Sequence, residues 1–94
     1  MTQPQPQPQT HPQAQDAEDP LIHVNQQISS VEEEIQQIKT NIVAASSNEL
    51  KYITEGNQKL EEYWKSEKMI LADQRKNLYE RLKQLTDRQQ RLGT

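Results

Sequence analysis

Residues 24–38 read VNQQISSVEEEIQQI. The apolar side chains there are Val24, Ile28, Val31, Ile35 and Ile38, three or four positions apart, and between them stand Gln, Glu, Ser and Asn. That period keeps every apolar group on one narrow stripe of a helix. Followed outward, Leu21, Val24, Ile28, Val31, Ile35, Ile38, Ile42 and Ala45 recur at intervals of 3, 4, 3, 4, 3, 4 and 3. Leu21, Ile28, Ile35 and Ile42 take heptad position a, and Val24, Val31, Ile38 and Ala45 take d. A run this regular is the mark of a coiled-coil seam, because a helix lying on a globular core shows a wider, less regular stripe.

Composition restricts the alternatives. The chain has 94 residues, 31% of them hydrophobic, with no Phe and a mean hydropathy of −1.12. A small chain this polar cannot wrap a three-dimensional core. Paired helices need only one stripe each, and they survive the shortage. With no cysteine there is no disulfide framework and no thiolate zinc site. No apolar run reaches the length of a membrane span, and no basic-then-apolar leader is present, so a soluble cytoplasmic or nuclear protein is expected.

Three zones follow. Residues 1–19 form a Gln/Pro-rich tail, and its alternating prolines predict disorder. Asp19-Pro20 is a helix start, a capping carboxylate followed by a residue tolerated at the first helical position. The helical region 20–94 ends in Leu71, Leu78, Leu85 and Leu92, with Leu82, Arg75 and Gln89 at intervening seam positions. Upstream, Leu50, Ile53, Asn57, Leu60 and Trp64 make a second 3, 4, 3, 4 series. Joining it to Leu71 requires a four-residue stutter.

The fold class expected is all-α: a two-helix antiparallel coiled-coil hairpin with a disordered N-terminal tail, associating into a helical bundle. A turn at Gly56-Asn57, residues suited to left-handed backbone, sets position n against position 113 − n. Leu21 then meets Leu92, Ile28 meets Leu85, Val31 meets Leu82, Ile35 meets Leu78, Ile42 meets Leu71 and Ile53 meets Leu60. Residues 1–64 hold 3 basic and 10 acidic side chains, and residues 65–94 hold 8 and 4, so the acidic arm lies along the basic one. Three other geometries are open. The break can fall at Ala44–Asn48, where Ser46 and Glu49 make a capping box, or at Thr54. One continuous helix of about 70 residues is the third, against which Gly56 counts only about 1 kcal/mol.

The interaction seam is therefore assigned to Leu21, Val24, Ile28, Val31, Ile35, Ile38, Ile42, Leu71, Leu78, Leu82, Leu85 and Leu92. Tyr63, Trp64, Met69 and Ile70 fall outside the Leu71–Leu92 seam and are candidates for a second contact surface. Asn57 and Gln89 would set register if buried.

Chemistry is absent from the pattern. His11 and His23 are the only imidazoles and lie twelve residues apart, so no metal site is expected. Glu32-Glu33-Glu34 diverge around a helix, and Ser29-Ser30 and Ser46-Ser47 have no activating base. No enzyme, no cofactor and no small-molecule substrate are expected. The basic residues of 65–94 are interleaved with Glu67, Asp73, Glu80 and Asp87, which disfavours a phosphate-facing surface. A wide apolar face opposite clustered Lys and Arg, as membrane binding requires, is missing. Trp64 is followed by Lys65-Ser66, so the chain is similar only in outline to the small helical hairpins with a Trp-x-Gly turn, and no family is assigned.

The function expected is a non-enzymatic interaction or scaffold module. It would associate with itself, with helical segments of another protein, or with both. The alternatives are a basic-helix nucleic-acid-binding dimer and a regulator that sequesters a partner's amphipathic helix.

Overall fold

The computed structural model describes residues 19–93. Helix α1 (Pro20–Glu55) and helix α2 (Gln58–Gly93) pack against each other as an antiparallel hairpin. Each has 36 residues and is about 54 Å long at 1.5 Å per residue. The Gln/Pro tail lies outside the described residues except for Asp19.

Local chemistry fixes both ends of α1. Asp19 is extended, and its Oδ1 accepts from the amides of Leu21 and Ile22 at 3.1 and 3.3 Å. Two of the donors that a helix N-terminus leaves unpaired are thereby satisfied, with Pro20 removing another. At the other end Gly56 adopts the left-handed conformation, φ 74° and ψ 20°. The Gly56 amide donates to Ile53 O at 3.1 Å and the Asn57 amide to Tyr52 O at 2.9 Å. This is the paired bonding of a Schellman stop. Asn57 then starts α2: its Oδ1 accepts from the Leu60 amide at 3.2 Å and its carbonyl from the Glu61 amide at 2.9 Å. Two residues thus end one helix and begin the next.

The other possible breaks lie inside α1. Residues 44–48 are helical, and Ala45 is a buried seam residue, 1% exposed. Glu49, instead of closing a capping box on Ser46, reaches across to Lys68. The Thr54 hydroxyl donates back to Leu50 O at 3.0 Å, as a mid-helix threonine does. A break at either place would forfeit the packing of Ala45 and Tyr52. The stop at Gly56 satisfies the helix end after that packing is complete.

The core is one seam, densest towards the open end. Val31, Ile35 and Leu85 are buried together, with Ile28, Leu78 and Leu82 packed against them. Val24 is fully enclosed. Gln89 Nε2 donates to Asn25 Oδ1 at 2.8 Å, one residue from the 113 − n pairing. Among the described residues no polar or charged group is buried, so polar groups sit only at the seam's edges.

Two stability changes follow. A Cβ at position 56 would touch nothing within 4 Å, but the φ of 74° strains any L side chain there. Gly56→Ala should therefore lower the unfolding free energy by about 1–2 kcal/mol, with Gly56→Asn costing less. Asp19→Ala should cost about 1 kcal/mol through the lost cap. Urea titration followed by circular dichroism, at one fixed chain concentration, reads both.

Candidate protein-interaction surface

Most residues of the expected seam are consumed inside the hairpin. Val24, Val31, Ile35 and Leu85 are buried, and Leu21, Ile28, Ile38, Ile42, Leu71, Leu78 and Leu82 are half-buried. Leu92 departs from the expectation. It is 39% exposed, because Leu21 opposite is the second residue of α1 and gives it little cover.

Near the turn the register differs from the one read in the sequence. The less exposed positions of α2 include Glu61, Trp64, Lys68, Leu71, Arg75, Leu78, Leu82, Leu85 and Gln89, an unbroken alternation of three and four. On α1 the heptad passes through Ile42, Ala45, Glu49 and Tyr52, all less exposed than their outward neighbours. There is no stutter. The Leu50, Ile53, Leu60 series is left outside: Leu50 is 64% exposed, and Ile53 and Leu60 are exposed too. The expected Ile53–Leu60 pairing therefore does not form. One residue of shift rotates a side chain by about 100°, so bringing Leu50 into the seam would turn Ala45 and Ile42 out of it. Continuity with the buried end wins, and a polar pair fills the positions. Lys68 Nζ lies 2.8 Å from Glu49 Oε1, with the two side chains 36% and 15% exposed.

The polar seam positions divide. Asn57 is exposed and serves as a cap, so it does not set register from inside the seam. Gln89 is half-buried and ties α2 to Asn25. Arg75 is half-buried at the seam edge, as a long stem over apolar neighbours can be.

The four second-surface candidates do not share one face. Trp64 belongs to the seam and is half-buried, with the Tyr63 ring set edge-on to it at 5.1 Å and 85°. Tyr63 and Ile70 stand on one row of α2 with Leu60, Glu67, Gln74, Asn77 and Arg81, spaced 3, 4, 3, 4, 3 and 4. Glu67 borders a shallow groove floored by Ala45, Trp64 and Leu71, with Asn41, Ala44 and Asn48 on its α1 side. Gln74, Asn77 and Arg81 border a second groove, whose floor is Ile38 and Leu78 and whose α1 side carries Glu34 and Gln37. The row therefore runs along both grooves. Met69 lies on the other flank, seven residues from Lys76 in the outward groove beside Tyr79. Val43 and Leu50 share that flank, because each stands a multiple of seven from Gln36, which lines the Tyr79–Leu82 groove with Lys39. Lys39 Nζ sits 5.9 Å from the Tyr79 ring centroid there.

Sequence reasoning missed Leu50, Ile53 and Leu60 as outward residues, having read them as a second periodic series and set Ile53 against Leu60. It missed Val43 altogether, since one Val beside a strong heptad carries no periodic signal of its own. Among the described residues no group of three or more His, Cys, Asp or Glu is placed to hold a metal ion. No helix among them is long and apolar enough to cross a membrane. The grooves are open surface depressions with no water-excluding interior. No protein-family profile, curated protein or solved structure matches the chain.

Ile35→Ala should destabilise the hairpin by about 2–4 kcal/mol, the range for deleting a buried aliphatic side chain. Leu50→Ala should cost less than about 0.5 kcal/mol, as for a surface change. Chemical denaturation of both variants reads the difference. Equal losses would mean that Leu50 occupies the seam.

Proposed function

We propose that this chain is a non-enzymatic protein–protein interaction module, a helical hairpin that works by associating with other helices. The observation that supports it most is the apolar surface left over once the seam has closed. Tyr63, Met69 and Ile70 are each more than half exposed, as are Val43 and Leu50. Five such side chains crowd the turn-proximal half of a chain that is short of apolar residues. Single exposed apolar residues need no explanation, but two groups of them on a structure with so small a core, Tyr63 and Ile70 on one flank and Val43, Leu50 and Met69 on the other, are what association surfaces leave when unpaired.

The nucleic-acid reading has less support. α2 carries nine basic side chains but six acidic ones, and Lys68 is already held by Glu49. A phosphate-tracking surface needs an uninterrupted positive field.

A photo-crosslinking residue at position 63, in the full chain and in the cells that make it, tests the proposal. The expected result is a discrete adduct, either with the chain itself or with a helical segment of another protein. The same residue at Ser47, on the outer side of α1, should give none. No adduct at position 63 would overturn the interaction role, and nucleic-acid binding that falls steeply with salt would then favour the other reading.

A further inference from the structure

The outward flanks of the hairpin differ in charge, and this selects both a face and an occupant. On the flank with Tyr63 and Ile70, Ile70, Gln74 and Asn77 from α2 face Gln37, Asn41 and Ala44 from α1 across the two grooves. Glu67 stands between Tyr63 and Ile70, Glu34 and Arg81 border the far groove, and neither groove is lined by a lysine. The opposite flank has Val43, Leu50 and Met69, but Lys39 and Lys76 stand among them. Interface centres are depleted of Lys, Glu and Asp and enriched in aromatic side chains such as Tyr. The flank whose grooves hold no lysine is the better docking face.

We infer that two copies of this chain pair through the Leu60–Tyr63–Ile70 flank, with their turns at the same end, as a four-helix bundle. The inference rests on the interaction role proposed above and names its partner. Charge supplies the reason for a second copy. α1 carries two basic and five acidic side chains, net −3, and α2 nine and six, net +3. A two-fold axis parallel to the helices lays α2 of one copy along α1 of the other, so unlike charges meet on both sides. A two-fold axis across the helices would lay α1 on α1 and α2 on α2, and like charges would meet.

Shape agrees with the same axis. With the turns together, residues at one height in each hairpin stay at one height in the pair. Ile70 stands at the height of residue 43 under the 113 − n pairing. Ile70 of each copy therefore comes against Asn41 and Ala44 of the other, where small side chains leave the groove beside Trp64 open. Turned end for end, the same ridge would lie on α2 of the other copy, where Ile70 would come to the height of Arg81 and set an aliphatic side chain against a charged one. Neighbouring helices in the resulting bundle are all antiparallel, the arrangement of up-down bundles.

Because the chain lacks cysteine, a single Lys59→Cys places one label beside each turn. Sedimentation equilibrium of the full chain should give twice the 11.0 kDa chain mass. The label-to-label distance in that dimer should be roughly 25–40 Å, set by interaxial spacings of 8–10 Å plus the label arms. Tyr63→Glu with Ile70→Asp should weaken dimerisation more than about tenfold, since both introduce unpaired charge. Helicity should be kept, as both positions are over half exposed in the hairpin. Val43→Asp, on the opposite flank, should leave the dimer intact. A label distance on the order of 60 Å, dissociation by Val43→Asp, or a double variant that still dimerises would each overturn the pairing. A wild-type chain that stays monomeric would overturn it as well. If that monomer still gives an adduct with another protein at position 63, only the pairing fails; if it gives none, the interaction role fails too.

Discussion

A helix with one apolar stripe must have that stripe covered, and here the cover for α1 is α2 of the same chain. Ile28, Val31 and Ile35 are met by Leu78, Leu82 and Leu85, and no second layer lies behind them. Every other feature is arranged around that single contact. The chain reverses at the one place where a left-handed glycine is followed by a capping asparagine, so the reversal leaves no helix end unsatisfied. The two arms are equal in length because the reversal lies midway between Pro20 and Gly93.

A seam of this kind must stay in phase from end to end. That requirement explains why the chain tolerates Glu49 and Lys68 beside the seam while Leu50 and Ile53 face outward. Hydrophobicity counted residue by residue would choose Leu50 over Glu49. Packing cannot make that choice without rotating the buried residues upstream. The price is a modest partly exposed ion pair, worth about 1 kcal/mol or less, and a set of outward aliphatic side chains near the turn. Those outward groups are what the hairpin has to offer to anything else, and they give the proposed association its location.

The open half of the hairpin was legible in the sequence. Long a/d alternation in Leu21–Ala45 and the heptad leucines of Leu71–Leu92 specify both stripes, and Asp19-Pro20 and Gly56-Asn57 announce the ends chemically. The turn-proximal half was legible only as helix. There Leu50, Ile53, Leu60 and Trp64 form a periodic series as good as the true seam, and periodicity within one helix does not reveal whether it agrees in phase with its partner. The seam's real occupants in that region, Glu49, Tyr52, Glu61 and Lys68, look like interruptions until Glu49 and Lys68 are seen to pair. Leu92 was misjudged for a simpler reason: a heptad leucine in the last turn of a helix is covered only as far as the opposite helix extends.

The central claim is that α1 and α2 close on each other within one chain. The most direct test is the distance between spin labels on cysteines placed at positions 21 and 92, with labelled chains diluted into unlabelled ones so that only intramolecular pairs are read. A closed hairpin gives about 10–20 Å, one helix spacing plus the label arms. A single straight helix would give on the order of 100 Å at 1.5 Å per residue, and that result would contradict the account.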